Sequence, residues 1–92
     1  MITIELPTAL RPYARGSTAL VLDRAYATVG EALAALADPY PGVLDRILDE
    51  RGEVRPHVNV FVGAESIRFL GGLDAPLPAG STVTIVPAVS GG

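Results

Sequence analysis

The chain has no cysteine and no lysine, and no apolar run approaches the roughly 20 residues of a membrane-spanning helix. Without cysteine there are no disulfides, no Cys-ligated zinc, no iron–sulfur cluster and no thiol catalysis. Without lysine a phosphate-binding Walker loop is excluded, because that loop needs a Lys to reach the phosphates. The glycines of "GGLDAPLPAGST" (Gly71 to Thr82) are therefore expected in turns. All seven cations are arginine, set against ten carboxylates for a net charge of −3. With no basic run, nucleic acid is a poor partner. The opening "MITIELP" lacks the basic and apolar regions of a secretion signal, so a cytoplasmic protein is expected. What the chain does have is apolar material: 49% of its 92 residues are hydrophobic and 18% charged. That suits one globular domain rather than a disordered polyelectrolyte.

Periodicity gives the elements. Ile2 to Leu6 alternates β-branched and polar residues and predicts a strand that Pro7 ends. Arg11 to Ser17 reads as a turn, and Thr18 to Asp23 as a second strand. Thr28 and Glu31 form an S/T-x-x-E capping box, and Val29, Leu33 and Leu36 make one apolar helical face. Asp38-Pro39 stops that helix. Gly42 to Gly52 predicts a short second helix, with Val43, Leu44, Ile47 and Leu48 on one side and Gly52 as its terminating glycine. Val58, Val60 and Val62 alternate with Asn59 and Phe61 as a strand. Glu65 to Phe69 reads as a short edge strand, Leu70 to Ser81 as a long connection, and Thr82 to Pro87 as the last strand with Val83 and Ile85 facing one way. This is an α+β order with a mixed sheet, its first and last strands side by side in the middle.

Catalytic groups are scarce. His57 is the only histidine, and a lone imidazole at a strand start reads as structural or solvent-facing. Asp45, Asp49, Glu50 and Glu53 read as a solvated helix face softened by Arg46 and Arg51, with Asp49 and Glu53 repelling at i, i+4. Ser17, Ser66, Ser81 and Ser90 lack a nucleophile-elbow context. Weight therefore falls on the end of the sequence, where Ala88 to Gly92 are small residues closing on Gly91-Gly92. Five extended residues reach at most roughly 17 Å, and glycines without Cβ pass through narrow channels. A terminal glycyl carboxylate is the least hindered acyl group a protein has.

The helix opening "TVGEAL", the strand "VNVFV" and the stretch "IRFLGGLDAPLPAGSTVTIVPAVSGG" resemble the ThiS/MoaD family of ubiquitin-like sulfur carriers. The resemblance covers the whole chain, is most specific from Pro76 to Gly92, and is greatest to the actinobacterial, CysO-like members. It implies a β-grasp domain over 1–87, with a mixed sheet of four to five strands, one main helix packed across it and a short second helix. Residues 88–92 would form a flexible tail. It also implies a carrier rather than an enzyme, with no bound cofactor or metal. An E1-like adenylyltransferase/sulfurtransferase of the MoeB/ThiF/MoeZ type would activate the Gly92 carboxylate with ATP and Mg²⁺. The resulting thiocarboxylate would donate sulfur to a biosynthetic enzyme, either cysteine synthase-like or a thiosugar, thiazole or molybdopterin synthase. A JAMM-type metallopeptidase would be a further partner. By matching positions, Gly92 carries the sulfur, Gly91, Ser90, Val89 and Ala88 thread the partner's channel, and Pro87, Val86 and Ile67 form a docking surface. Alternative roles within the resemblance are the small subunit of molybdopterin synthase and a ubiquitin-like modifier whose Gly92 joins target lysines.

Overall fold

Alternation places Ile2 and Ile4 on one side of strand β1 (Ile2–Glu5), both fully buried, with Thr3 and Glu5 on the other. The computed structural model describes residues 1–87. After β1 the chain runs through a 3₁₀ helix (Thr8–Ala14), β2 (Ala19–Leu22), α1 (Val29–Ala34), α2 (Pro41–Ile47), β3 (Val58–Val62), β4 (Glu65–Ser66), two short 3₁₀ turns and β5 (Thr82–Pro87). The sheet order is β2-β1-β5-β3-β4. β1 and β5 lie parallel at its centre, Ile4 opposite Val83, and the other neighbours are antiparallel. This is the mixed five-stranded β-grasp arrangement, with the first and last strands paired as their sequence order suggests.

One side of the sheet is covered. Val83 and Ile85 of β5, Val58 and Val60 of β3, and Val29, Leu33 and Leu36 from the α1 region join Ile2 and Ile4 in a single core. No polar or charged residue is buried among the described residues. Thr28 caps α1 as expected: its hydroxyl oxygen accepts the Glu31 amide at 3.2 Å. The Glu31 carboxylate, however, accepts from the Thr28 hydroxyl at 3.3 Å instead of reaching the Thr28 amide. The α-helical ladder ends at Ala34, earlier than Asp38, and the chain tightens into i→i+3 bonds from Leu36 to Leu33 and from Ala37 to Ala34. Pro39 has no amide to offer the Ala35 carbonyl, and the Tyr40 amide closes the segment on Leu36 at 2.8 Å.

The connection before β5 is laced to the start of α1. The Val29 amide donates to Ala75 at 3.1 Å and the Leu77 amide to Ala27 at 3.1 Å. Contact here is so close that a Cβ on Gly30 would meet the Leu73 carbonyl oxygen at 3.0 Å and the Leu73 Cβ at 3.3 Å. A side chain on Gly30 would press on Leu73, so a residue without Cβ suits this close approach although it is a weak helix former. Gly30→Val is expected to destabilise the fold by about 1–3 kcal/mol through overpacking, seen as a lower midpoint in chemical unfolding.

Three expectations about local structure need correction. Arg11 to Ser17 is mostly helical: the 3₁₀ segment Thr8–Ala14 buries Leu10 and Ala14 against the core, and only its end turns, at Arg15 (φ 57°). The second helix ends at Ile47, five residues before Gly52, because Leu48 leaves it in extended conformation to bridge Val54. Gly52 (φ 78°) instead serves the turn between them. In that turn the Asp49 carboxylate accepts the Arg51 and Glu53 amides at 2.9 and 3.0 Å, so Asp49 and Glu53 are not stacked along a helix. The Glu53 hydrogen bond foremost holds the Asp49 carboxyl below the ordinary 3.8. Finally, Glu65 to Phe69 is a strand for only two residues. The Ser66 hydroxyl accepts the Arg68 amide and turns the chain into a 3₁₀ segment, Ile67–Phe69.

Candidate functional site

β5 runs through the middle of the sheet and delivers the chain to its end at Pro87, which pairs with Val58 and is exposed. The parallel neighbour stops short. β1 ends at Glu5, opposite Thr84, because Pro7 lacks an amide for the ladder and the chain swings away into the Thr8–Ala14 segment. Val86 and Pro87 therefore project past β1 and are flanked by two surface hollows.

The first hollow, of about 480 Å³, lies between β5, α2 and the Thr8–Ala14 segment. Leu10, Val58 and Ile85 supply an apolar floor, Arg46 and Arg55 supply its cationic side, and the His57 ring lies beside them. Each arginine is held in place. Arg46 stacks 3.6 Å from the centroid of the Tyr13 ring and donates to the Gly42 carbonyl at 3.2 Å. Arg55 Nε donates to the Asp45 carbonyl at 2.9 Å. Asp45 lies 3.9 Å from the Arg46 guanidinium and 4.0 Å from that of Arg55. The second hollow, of about 440 Å³, lies where β5 passes the end of β1, with Arg11 and Thr18 also on its wall. There Thr84 Oγ1 donates to the Glu5 carboxylate at 3.3 Å, and Arg11 Nε donates weakly to the Leu6 carbonyl at 3.4 Å.

Of the residues expected to dock a partner, Val86 (half-buried) and Pro87 line both hollows. Ile67 does not join them. It is 4% exposed, drawn into the core by the 3₁₀ turn that replaced the expected edge strand. Its side chain can shape that edge from beneath but presents almost no surface to a partner. The large apolar residue that does stand free on this edge is Phe69, 82% exposed. Ala88, Val89, Ser90, Gly91 and Gly92 lie outside the described residues. Among the described residues no group of three or more His, Asp or Glu side chains is placed to hold a metal ion. No helix there is long and apolar enough to cross a membrane.

Sequence reasoning missed Arg46, Arg55 and Tyr13 as neighbours of the chain's exit. Their positions carry no motif. The one local signal was Pro7, which fixes where β1 must stop.

Comparison with known proteins gives a consistent picture. A model of the ThiS family matches residues 4–92. The sulfur carrier protein CysO of Mycobacterium tuberculosis is 36% identical over 93 aligned residues, covering 99% of this chain and 98% of that protein. Its crystal structure superposes with a TM-score of 0.87 at 34% identity, over 97% of this chain and all of the other. A chain in the crystal structure of the Amycolatopsis orientalis BexX/CysO complex matches with a TM-score of 0.86 at 35% identity and full coverage of both. Small archaeal modifier protein 3 of Haloferax volcanii is 39% identical over 66 residues, 72% of this chain and 71% of that protein.

Proposed function

The chain belongs to the ThiS family, and from that premise we propose that it is a protein-borne sulfur carrier whose Gly92 carboxylate is the group that reacts. The observation that carries this reading is end-to-end likeness to a sulfur carrier, over 99% of the chain, in a sequence that closes on Gly91-Gly92. The fold supports it. β5 ends at the surface at Pro87, and the five residues that follow in sequence could span roughly 17 Å if extended.

In this cycle a carboxylate oxygen of Gly92 attacks the α-phosphorus of ATP in an E1-like adenylyltransferase. Pyrophosphate leaves and an acyl-adenylate remains, with Mg²⁺ in that enzyme neutralising the phosphate charge. A sulfur nucleophile then attacks the acyl carbon and AMP leaves. Sulfide gives the thiocarboxylate directly; a persulfide gives it once a second thiol breaks the S–S bond. The thiocarboxylate sulfur is the nucleophile offered to a biosynthetic enzyme, which completes its own bond to that sulfur and returns the carboxylate after hydrolysis. Ala88, Val89, Ser90 and Gly91 lead Gly92 into each partner, and Val86 and Pro87 seat the body at the channel mouth. That a relative has been crystallised together with BexX supports a role exercised inside complexes.

Incubating the untagged protein with a ThiF/MoeB-type adenylyltransferase, ATP, Mg²⁺ and sulfide should replace one oxygen by sulfur in the intact mass. Unchanged mass together with no pyrophosphate release would remove the reading. The likeness to an archaeal modifier protein favours a second one, in which the activated Gly92 forms an amide with lysines of other proteins. Covalent adducts on a lysine-bearing acceptor, formed in place of the thiocarboxylate, would select it.

A further inference from the structure

We propose that the hollow between β5, α2 and the Thr8–Ala14 segment is a second contact for the enzyme that receives the chain's end, taking an apolar side chain of that enzyme flanked by its carboxylates on Arg46 and Arg55. This rests on the carrier reading and adds to it the chemistry of the partner's rim.

Position comes first. Pro87 itself lines the hollow. An enzyme that takes residues 88–92 into its active site must bring its channel mouth up to Pro87, and whatever surrounds that mouth then lies over the hollow. The hollow's chemistry says what the surround is made of. Its floor is apolar, with Leu10, Val58 and Ile85 only 8%, 7% and 2% exposed, and it suits an aliphatic or aromatic side chain. Its rim is cationic. The Arg46 side chain is 42% exposed while stacked on Tyr13. Arg55 is anchored through Nε, and among the described residues its outer nitrogens make only the 4.0 Å contact with Asp45. Guanidinium groups already held by stacking and one hydrogen bond lose little freedom when a carboxylate arrives.

Charge distribution points the same way. The chain is acidic overall, at −3. Yet three of its seven arginines, Arg11, Arg46 and Arg55, line the two hollows beside Pro87, against only two of its ten carboxylates, Glu5 and Asp45. The acidic excess therefore lies elsewhere on the chain. An acidic mouth is attracted to this end and repelled by the remainder, which orients the encounter so that the end of the chain arrives first.

The test uses the full-length chain and an adenylyltransferase that loads it, with pyrophosphate release as the readout. His57→Glu, Arg46→Glu and the double variant are compared with wild type at low and high ionic strength. KM for the carrier should rise about tenfold in the double variant at low salt, with kcat little changed, because rim charges act mainly on encounter. The gap should close near 1 M salt, where the screening length is about 3 Å. Arg46→Lys keeps the charge but gives up the stacked guanidinium, so its KM should fall between wild type and Arg46→Glu. Arg46→Glu gives up stacking on Tyr13, so its unfolding midpoint is measured alongside; His57→Glu changes charge at an exposed position and should show the salt-sensitive KM rise by itself. An unchanged KM in both, a rise indifferent to salt, or a change in self-association would overturn the proposal. A wild-type chain that is never loaded removes the carrier reading and this inference together, an outcome visible before any variant is compared.

Discussion

Deleting Gly92 is expected to lower the rate of sulfur loading by about 10²-fold or more while leaving the unfolding midpoint almost unchanged. The shortened chain still ends in a glycyl carboxylate, so the acyl group survives; what changes is its place. One residue fewer withdraws it by roughly 3.5 Å. Reacting atoms must meet at about 3–3.5 Å, and misplacement by even about 1 Å can cost 10²-fold. Appending residues after Gly92 should do equal damage, since the reactive carbon is then an amide with a further chain attached. Stability should not follow, because the core described here is built from residues between Ile2 and Ile85. Loading is measured by intact mass over time and stability by thermal unfolding. Normal loading of the shortened chain would show that Gly92 is not the acceptor.

Ile4→Ala should behave in the opposite way. Ile4 is fully buried at the centre of β1, opposite Leu20 of β2 and Val83 of β5. With strands on both sides the site cannot collapse around a smaller side chain, so the truncation leaves a cavity costing about 2–5 kcal/mol. A domain of this length holds about 5–14 kcal/mol in all. The unfolding midpoint should therefore fall by about 10 °C or more. At a temperature where the variant remains folded, loading at Gly92 should continue at nearly the wild-type rate, because no reacting group has moved. Parallel loss of loading and fold in this variant would mean that the body takes part in activation beyond carrying the end.

The elements with a strict period were the most legible. Ile2 and Ile4, Val58 and Val60, and Val83 and Ile85 are buried as alternation requires, and Thr28 caps the first helix as its spacing to Glu31 implies. Errors fell where a side chain competes with the regular ladder. The Ser66 hydroxyl ended β4 after two residues, and the Asp49 carboxylate claimed two amides that a longer α2 would have needed elsewhere. Ile67 followed from the first of these: as a strand residue it would face outward on an edge, whereas the 3₁₀ turn buries it.

The sequence by itself determined the sheet's alternation, the helix start, the exclusion of thiol and lysine chemistry, and the small residues that close on Gly91-Gly92. Each of these is a property of neighbouring residues or of composition. Only the tertiary structure decided what surrounds Pro87. Tyr13, Arg46 and the neighbouring Arg55 and His57 come from three separate parts of the chain, and they meet beside β5 because Pro7 ends β1 early and leaves a space that α2 and the Thr8–Ala14 segment border. Such a gathering depends on how far two strands overlap and how a helix packs across them, which no local pattern records.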